Sequence, residues 1–259
     1  MKRDKPPSSD PISGRPQPRQ SEILERERDS ATLALLVGIV VVSNIVSNRV
    51  IPTSWYVLWN SLVAAAMVFI ALRVDRLSLE DLGLGRANLK RGLRWGLVLA
   101  GAVLVAYLIG LAIPQTREFF RDDRASLTGW DVLYKMFVAV PFGTVLLEEV
   151  GFRGVVPAVF GHRMSRNWAI GWSSVLFGLW HILPAAHVNQ TNAALRGSLG
   201  NDAGQVLAIT LAVVATALVG VFFCWLRFRS QSLLTPIILH ISTNSLAYLI
   251  AWVVLKRSH

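Results

Sequence analysis

Long apolar runs alternate along the chain with short charged or proline-bearing segments. They fall at residues 31–51, 54–71, 95–113, 131–164, 167–184, 205–226 and 232–255, the fourth interrupted by Pro141. A helix rises about 1.5 Å per residue, so about 20 apolar residues cross the roughly 30 Å hydrocarbon core of a bilayer. Residues 31–42 and 206–221 show none of the period-two alternation that an outer-membrane strand requires, which leaves the helix as the spanning element. The pattern predicts an all-α fold, a polytopic transmembrane helical bundle of about seven to eight spans. Seven is the central count, and Pro141 and Pro236 are the places where a helix is expected to break.

Between the second and third runs, residues 75–94 place Leu77, Leu79, Leu82 and Leu84 among charges, the pattern of an interfacial connector. Residues 1–30 are rich in proline and mixed charge without apolar periodicity and read as a disordered cytoplasmic tail. The remainder divides into residues 31–130, amino-terminal helices with the connector, and residues 131–255, a helical core that carries the chemistry. The first apolar run begins near Ala31 and reads as an anchor, since a cleavable signal places its apolar region closer to the initiator methionine.

Composition agrees with this class: 53% of residues are hydrophobic and 16% charged, and mean hydropathy is +0.47. The sole cysteine, Cys224, lies in an apolar run, which excludes an intrachain disulfide and a thiolate metal cluster. The net charge of +10 lies mostly between the apolar runs, without aromatic interleaving. It therefore reads as topology signal and lipid contact, and no nucleic-acid partner is expected. In the seven-span arrangement one side collects 17 lysines and arginines and the other seven, which points to an amino terminus in the cytoplasm; the expected location is a bacterial plasma membrane, as an integral protein.

Ionisable side chains within spans cost at least about 2.5 kcal/mol each at the bilayer centre, so those present mark function or interhelical structure. Three groups stand out. Glu148, Glu149 and Arg153 follow the apolar run 145–147. On a helix Glu149 and Arg153 share a face and can pair, while Glu148 points about 100° away, free to meet another helix. Phe177 and His181 lie four apart on a later run, as do His240 and Asn244 on the last. Counted from Arg163 and Arg166, Glu148 and His181 lie at equal depth, roughly 22 Å from one face. His240, near Arg229 in sequence, fits that depth only if the start of its helix is shifted.

Such a set suits two mechanisms. Glu148 can take a proton from water while His240 and Asn244 donate to a developing oxyanion. Alternatively, Glu148, His181 and His240 hold a divalent metal such as zinc and acidify its bound water. The residue types and spacings leave both open.

The three patterns, Glu-Glu-x-x-x-Arg at Glu148, Glu149 and Arg153, Phe-x-x-x-His at Phe177 and His181, and His-x-x-x-Asn at His240 and Asn244, resemble the signature motifs of the CAAX protease and bacteriocin-processing family. This family of intramembrane endopeptidases includes the type II CAAX prenyl endopeptidases, usually described as metalloproteases. The resemblance implies that Glu148 activates water with His181, that His240 and Asn244 stabilise the oxyanion, and that Glu149 and Arg153 support them. Phe177 reads as a packing element. It further implies a membrane-anchored protein or peptide substrate, prenylated in one branch of the family. The His-Glu-x-x-His motif of site-2 proteases and the Gly-x-Gly-Asp motif of aspartyl intramembrane proteases are both missing, and His162 and His187 fall in loops with a solvated role. Two other classes use the same residue types: a transporter or channel component with a polar pathway, and a noncatalytic immunity-type adaptor that keeps these residues as interhelical contacts.

Overall fold

A computed structural model describes residues 20–117, 120, 127–186 and 202–257. Among them every regular element is a helix. We label the main ones α1 (Gln20–Ile45), α2 (Tyr56–Arg73), α3 (Leu89–Ala112), α4 (Gly129–Gly161), α5 (Arg166–Trp180), α6 (Asp202–Ser230) and α7 (Leu234–Arg257). Six helical segments are long and apolar enough to cross a membrane. The expected seventh, residues 167–184, is the 15-residue α5 followed by a turn at His181 and a short helix at Ile182–Ala185. The expected tail over residues 1–30 lies in part outside the described residues. From Gln20 onward the chain is already helical, because Glu, Leu and Arg are good helix formers even without an apolar stripe.

Proline does not break α4. Helical structure runs through Pro141 and past Pro157, because the chain there winds in the wider π register over Lys135–Val145 and Val150–Val155. In that register a proline orphans the carbonyl five residues before it, and both orphaned carbonyls are satisfied from other helices. Met136 O accepts from Ser245 Oγ of α7 at 2.8 Å. Phe152 O accepts from Ser173 Oγ of α5 at 2.6 Å and from Cys224 Sγ of α6 at 3.6 Å. Pro184 repeats the arrangement in the α register, where the carbonyl four residues back, Trp180 O, accepts from Asn44 Nδ2 of α1 at 2.9 Å. Hydrocarbon offers no water to such carbonyls, so a hydroxyl or amide from a neighbouring helix must serve, and each one pins a helix to its neighbour.

The connector between α2 and α3 packs into the bundle. Leu77 and Leu82 are buried in the main apolar core, together with Phe152, Val155, Val159 and Leu233. Ser78 N and Oγ donate to Asp81 Oδ2 at 2.8 and 2.7 Å, and these bonds hold the Asp81 carboxyl below the usual aspartate range. Gly83 takes φ +75°, a conformation that glycine adopts without Cβ strain, and its carbonyl accepts from Leu233 N at 2.8 Å. Arg163 anchors the start of the connector, pairing with Asp75 at 2.9 Å.

This tucked loop explains the depth of His240. Leu233 meets Gly154, well inside the end of α4, so α7 begins deep in the bundle and six residues later brings His240 level with Glu149. Glycines then set how closely α3 lies along α7. A Cβ at Gly96 would fall 2.7 Å from Ile238 Cδ1, and one at Gly92 would collide with Ser232. This is the small-xxx-small packing that lets membrane helices approach closely.

Candidate active site

Glu148 and Glu149 occupy a single turn of α register, Leu146–Glu149, between the two π stretches of α4. Such π insertions often accompany functional sites, because they redirect side chains from their regular faces. Here the two carboxylates part as their spacing predicts. Glu148 lines a cavity of about 780 Å³, and His181, His240 and Asn244 line it too. Glu149 points behind the cavity wall and is fully buried together with Arg153.

The expected pair of Glu149 and Arg153 forms, with Arg153 Nη1 3.4 Å from Glu149 Oε1. Arg153 makes no hydrogen bond through its guanidinium nitrogens. Aromatic faces carry it instead: its Cζ lies 3.7 Å from the Phe177 ring centroid and 5.1 Å from that of Phe223. A desolvated cation over aromatic rings gains about 2 kcal/mol. Phe177, 3% exposed, packs on both the Arg153 guanidinium and the His181 ring, the latter with centroids 4.6 Å apart, and it also lines the cavity.

Glu149 also takes the ring of His240, whose Nδ1 lies 2.7 Å from Glu149 Oε1. A carboxylate only accepts, so Nδ1 carries the proton and Nε2 is turned toward Glu148 Oε2, 3.9 Å away. That gap is too long for a hydrogen bond and suits a bridging water. His181 is fixed similarly, since its Nδ1 donates to the Phe177 carbonyl at 2.8 Å, which leaves Nε2 as its basic nitrogen.

Glu148 Oε1 accepts from the indole N–H of Trp180 at 3.1 Å, whereas Oε2 has no hydrogen-bond partner although it is buried. One oxygen is anchored and the other is open. Sequence reading missed the part Trp180 plays: an indole beside His181 in an apolar run reads as interfacial or core, yet its buried N–H must find an acceptor. The polar groups that Tyr56, Thr144 and Tyr248 present to the cavity were also missed. Tyr56 Oη and Thr144 Oγ1 share a hydrogen bond at 3.2 Å, and Thr144 sits one turn before Glu148, a spacing that could have revealed it.

Histidines outside the motifs behave as expected where they are described. His162 is half exposed and 3.8 Å from Asp75 at the end of α4, and His187 lies outside the described residues. Glu148, His181 and His240 share the cavity, but among the described residues no three His, Cys, Asp or Glu side chains are grouped so as to hold a metal ion. As placed, these side chains are not grouped as the ligands of a metal centre.

No curated protein and no solved structure matches the chain. Residues 130–246, the stretch that carries all three motifs and every carboxylate and imidazole of the site, match the family model described as Type II CAAX prenyl endopeptidase Rce1-like, which identifies this stretch with that family and supports an intramembrane protease of the CAAX type.

Proposed function

We propose that the protein is an endopeptidase that hydrolyses peptide bonds of membrane-anchored substrates with water activated by Glu148. The observation that carries this reading is the buried, unpartnered Oε2 of Glu148, a side chain that lines the cavity with His181, His240 and Asn244, while the other oxygen of the same carboxylate is held by Trp180. An ionised carboxylate held this way is poised to take a proton.

In the proposed reaction, a water between Glu148 Oε2 and the imidazole nitrogens gives one proton to Glu148 while its oxygen bonds to the scissile carbonyl carbon. His181 Nε2 accepts a hydrogen bond from the second O–H of the water, which stays on the attacking oxygen, and orients the attack. Negative charge moves to the carbonyl oxygen, where Asn244 and the protonated form of His240 donate to it, the latter through Nε2 with Nδ1 still on Glu149. When the tetrahedral species collapses, the C–N bond breaks and the proton held by Glu148 passes to the departing amine. Glu149 and Arg153 act through His240 and keep a buried charge beside it.

The apolar share of the cavity lining, including Val140, Val219, Phe222 and Leu239, suits a substrate with a lipid-like or apolar segment, and a prenylated carboxyl terminus is one such substrate. The lysine and arginine bias supports a cytoplasmic amino terminus. The test is to incubate protein in bilayers with membrane-anchored peptides, prenylated and not, in ¹⁸O-labelled water. New carboxyl termini carrying one labelled oxygen are expected. Intact peptides throughout, with folded protein, would leave the transporter or adaptor reading in its place.

A further inference from the structure

A second pocket, of about 240 Å³, lies at the opposite end of α6 from the short helix that follows α5. Its lining includes Glu80, Asn88, Arg166, Arg227, Phe228 and Gln231. It sits where the spans Arg86–Ala112 and Asp202–Ser230 have a common end and α5 begins, and the ends of membrane spans are where hydrocarbon gives way to lipid headgroups.

Its chemistry is unbalanced. The Arg166 and Arg227 guanidiniums both approach the Phe228 ring, at 5.7 and 4.3 Å from its centroid. Among the described residues no carboxylate forms an ion pair with either. Arg227 is 6% exposed. One of its terminal nitrogens donates to the Asp81 carbonyl, and its buried Nε has no partner. Arg91, the next cation along α3, is already committed to Gln231 Oε1 and the Arg229 carbonyl. Asp81 lies within electrostatic reach of Arg227 without forming an ion pair with it, and planar guanidinium donors match the oxygens of a phosphate. The pocket also holds one acid, Glu80, which a bare phosphate would meet unfavourably.

We infer that this pocket binds the headgroup of a phospholipid bearing a primary amine, its phosphate against Arg166 and Arg227 and its ammonium against Glu80. A phosphodiester with its amine two carbons away offers each of the three side chains a partner of opposite charge. A quaternary ammonium has no N–H to give Glu80, and a glycerol headgroup has no positive charge.

The test is native mass spectrometry and thermal unfolding of purified protein titrated with phosphatidylethanolamine, phosphatidylglycerol or phosphatidylcholine, and with inorganic phosphate or O-phosphoethanolamine as soluble controls. Phosphatidylethanolamine is expected to be retained best. Arg166→Gln, at an exposed position, should weaken its retention about fivefold, as removing one headgroup-facing cation implies, with Arg166→Lys restoring part of it. Glu80→Gln should abolish the preference for ethanolamine over glycerol headgroups while leaving phosphatidylglycerol retained. Equal retention of the three lipids by wild type, or an unchanged ethanolamine preference in Glu80→Gln, would overturn the assignment. Competition by inorganic phosphate as effective as that by lipid would make it a soluble-anion site and overturn the lipid reading.

Discussion

The imidazole of His240 rests on the carboxylate of Glu149, Nδ1 to Oε1 at 2.7 Å, so the second glutamate of the pair governs which nitrogen the histidine offers to the cavity. The sequence assigned Glu149 to Arg153 alone. The structure gives it both partners, and its charge is thereby tied to the orientation of the proposed oxyanion donor.

Glu149→Leu removes the acceptor that fixes His240 and strands the buried Arg153 charge. Loss of one partner from a buried ion pair costs about 3–5 kcal/mol, so thermal stability in detergent falls sharply. Glu149→Gln keeps an acceptor for Nδ1 and should fold better, yet turn over about 10²-fold more slowly, as loss of a preorganised transition-state interaction does. Full activity in folded Glu149→Gln would remove Glu149 from the account.

Trp180→Phe keeps the aromatic packing on Phe152, centroids 5.7 Å apart, and deletes the N–H that anchors Glu148 Oε1. A hydrogen bond to a charged group contributes about 1.5–3 kcal/mol, so kcat should fall about 10- to 100-fold, with KM little changed. A change confined to KM would assign Trp180 to substrate binding.

Ser173→Ala leaves the Phe152 carbonyl with only the weak Cys224 contact, at a cost of about 1–3 kcal/mol for a buried unsatisfied acceptor. Pro157→Ala returns a backbone N–H to the neighbourhood of that carbonyl. The double variant should therefore lose less stability than the sum of the single ones, as measured by thermal unfolding. Strict additivity would show that the hydroxyl does not serve the orphaned carbonyl.

These carbonyls show where legibility stopped. The helical class, the membrane runs and the faces of Glu148, Glu149 and Arg153 follow from local periodicity, which the sequence displays directly. The unbroken α4 does not, because whether Pro141 and Pro157 interrupt it depends on Ser245 and Ser173, far away in sequence and linked to them only in the folded bundle. The same holds for the depth of His240, set by the connector tucked beneath Leu233, and for Trp180, whose partner is 32 positions away. The three motifs converge on one cavity as their separate spans suggested; the His181 tautomer comes from Phe177 within its own motif, whereas that of His240 comes from the distant Glu149.

Gly96→Leu should push Ile238, and with it the start of α7, away from α3, since even a Cβ there falls 2.7 Å from Ile238 Cδ1. The distance between Cys labels on α3 and α7 should lengthen and turnover should drop. An unchanged distance with wild-type activity would show that the glycine contact does not position His240.

Chelation is expected to leave turnover within about twofold of the untreated rate, because Glu148, His181 and His240 are not grouped as metal ligands. Abolished activity, restored by added zinc, would show that these side chains regroup around a metal in the working enzyme.

The central claim is that the open oxygen of Glu148 takes the proton of the attacking water. Its most direct measurement is single-turnover cleavage of a membrane-anchored peptide by wild type and Glu148→Gln in the same bilayer, with thermal unfolding of both as the check on folding. The carboxamide keeps the size of the side chain and an acceptor for Trp180 but cannot serve as the base, so cleavage should fall by about 10²–10⁴-fold while the unfolding temperature is retained. Cleavage by folded Glu148→Gln at the wild-type rate would contradict the account.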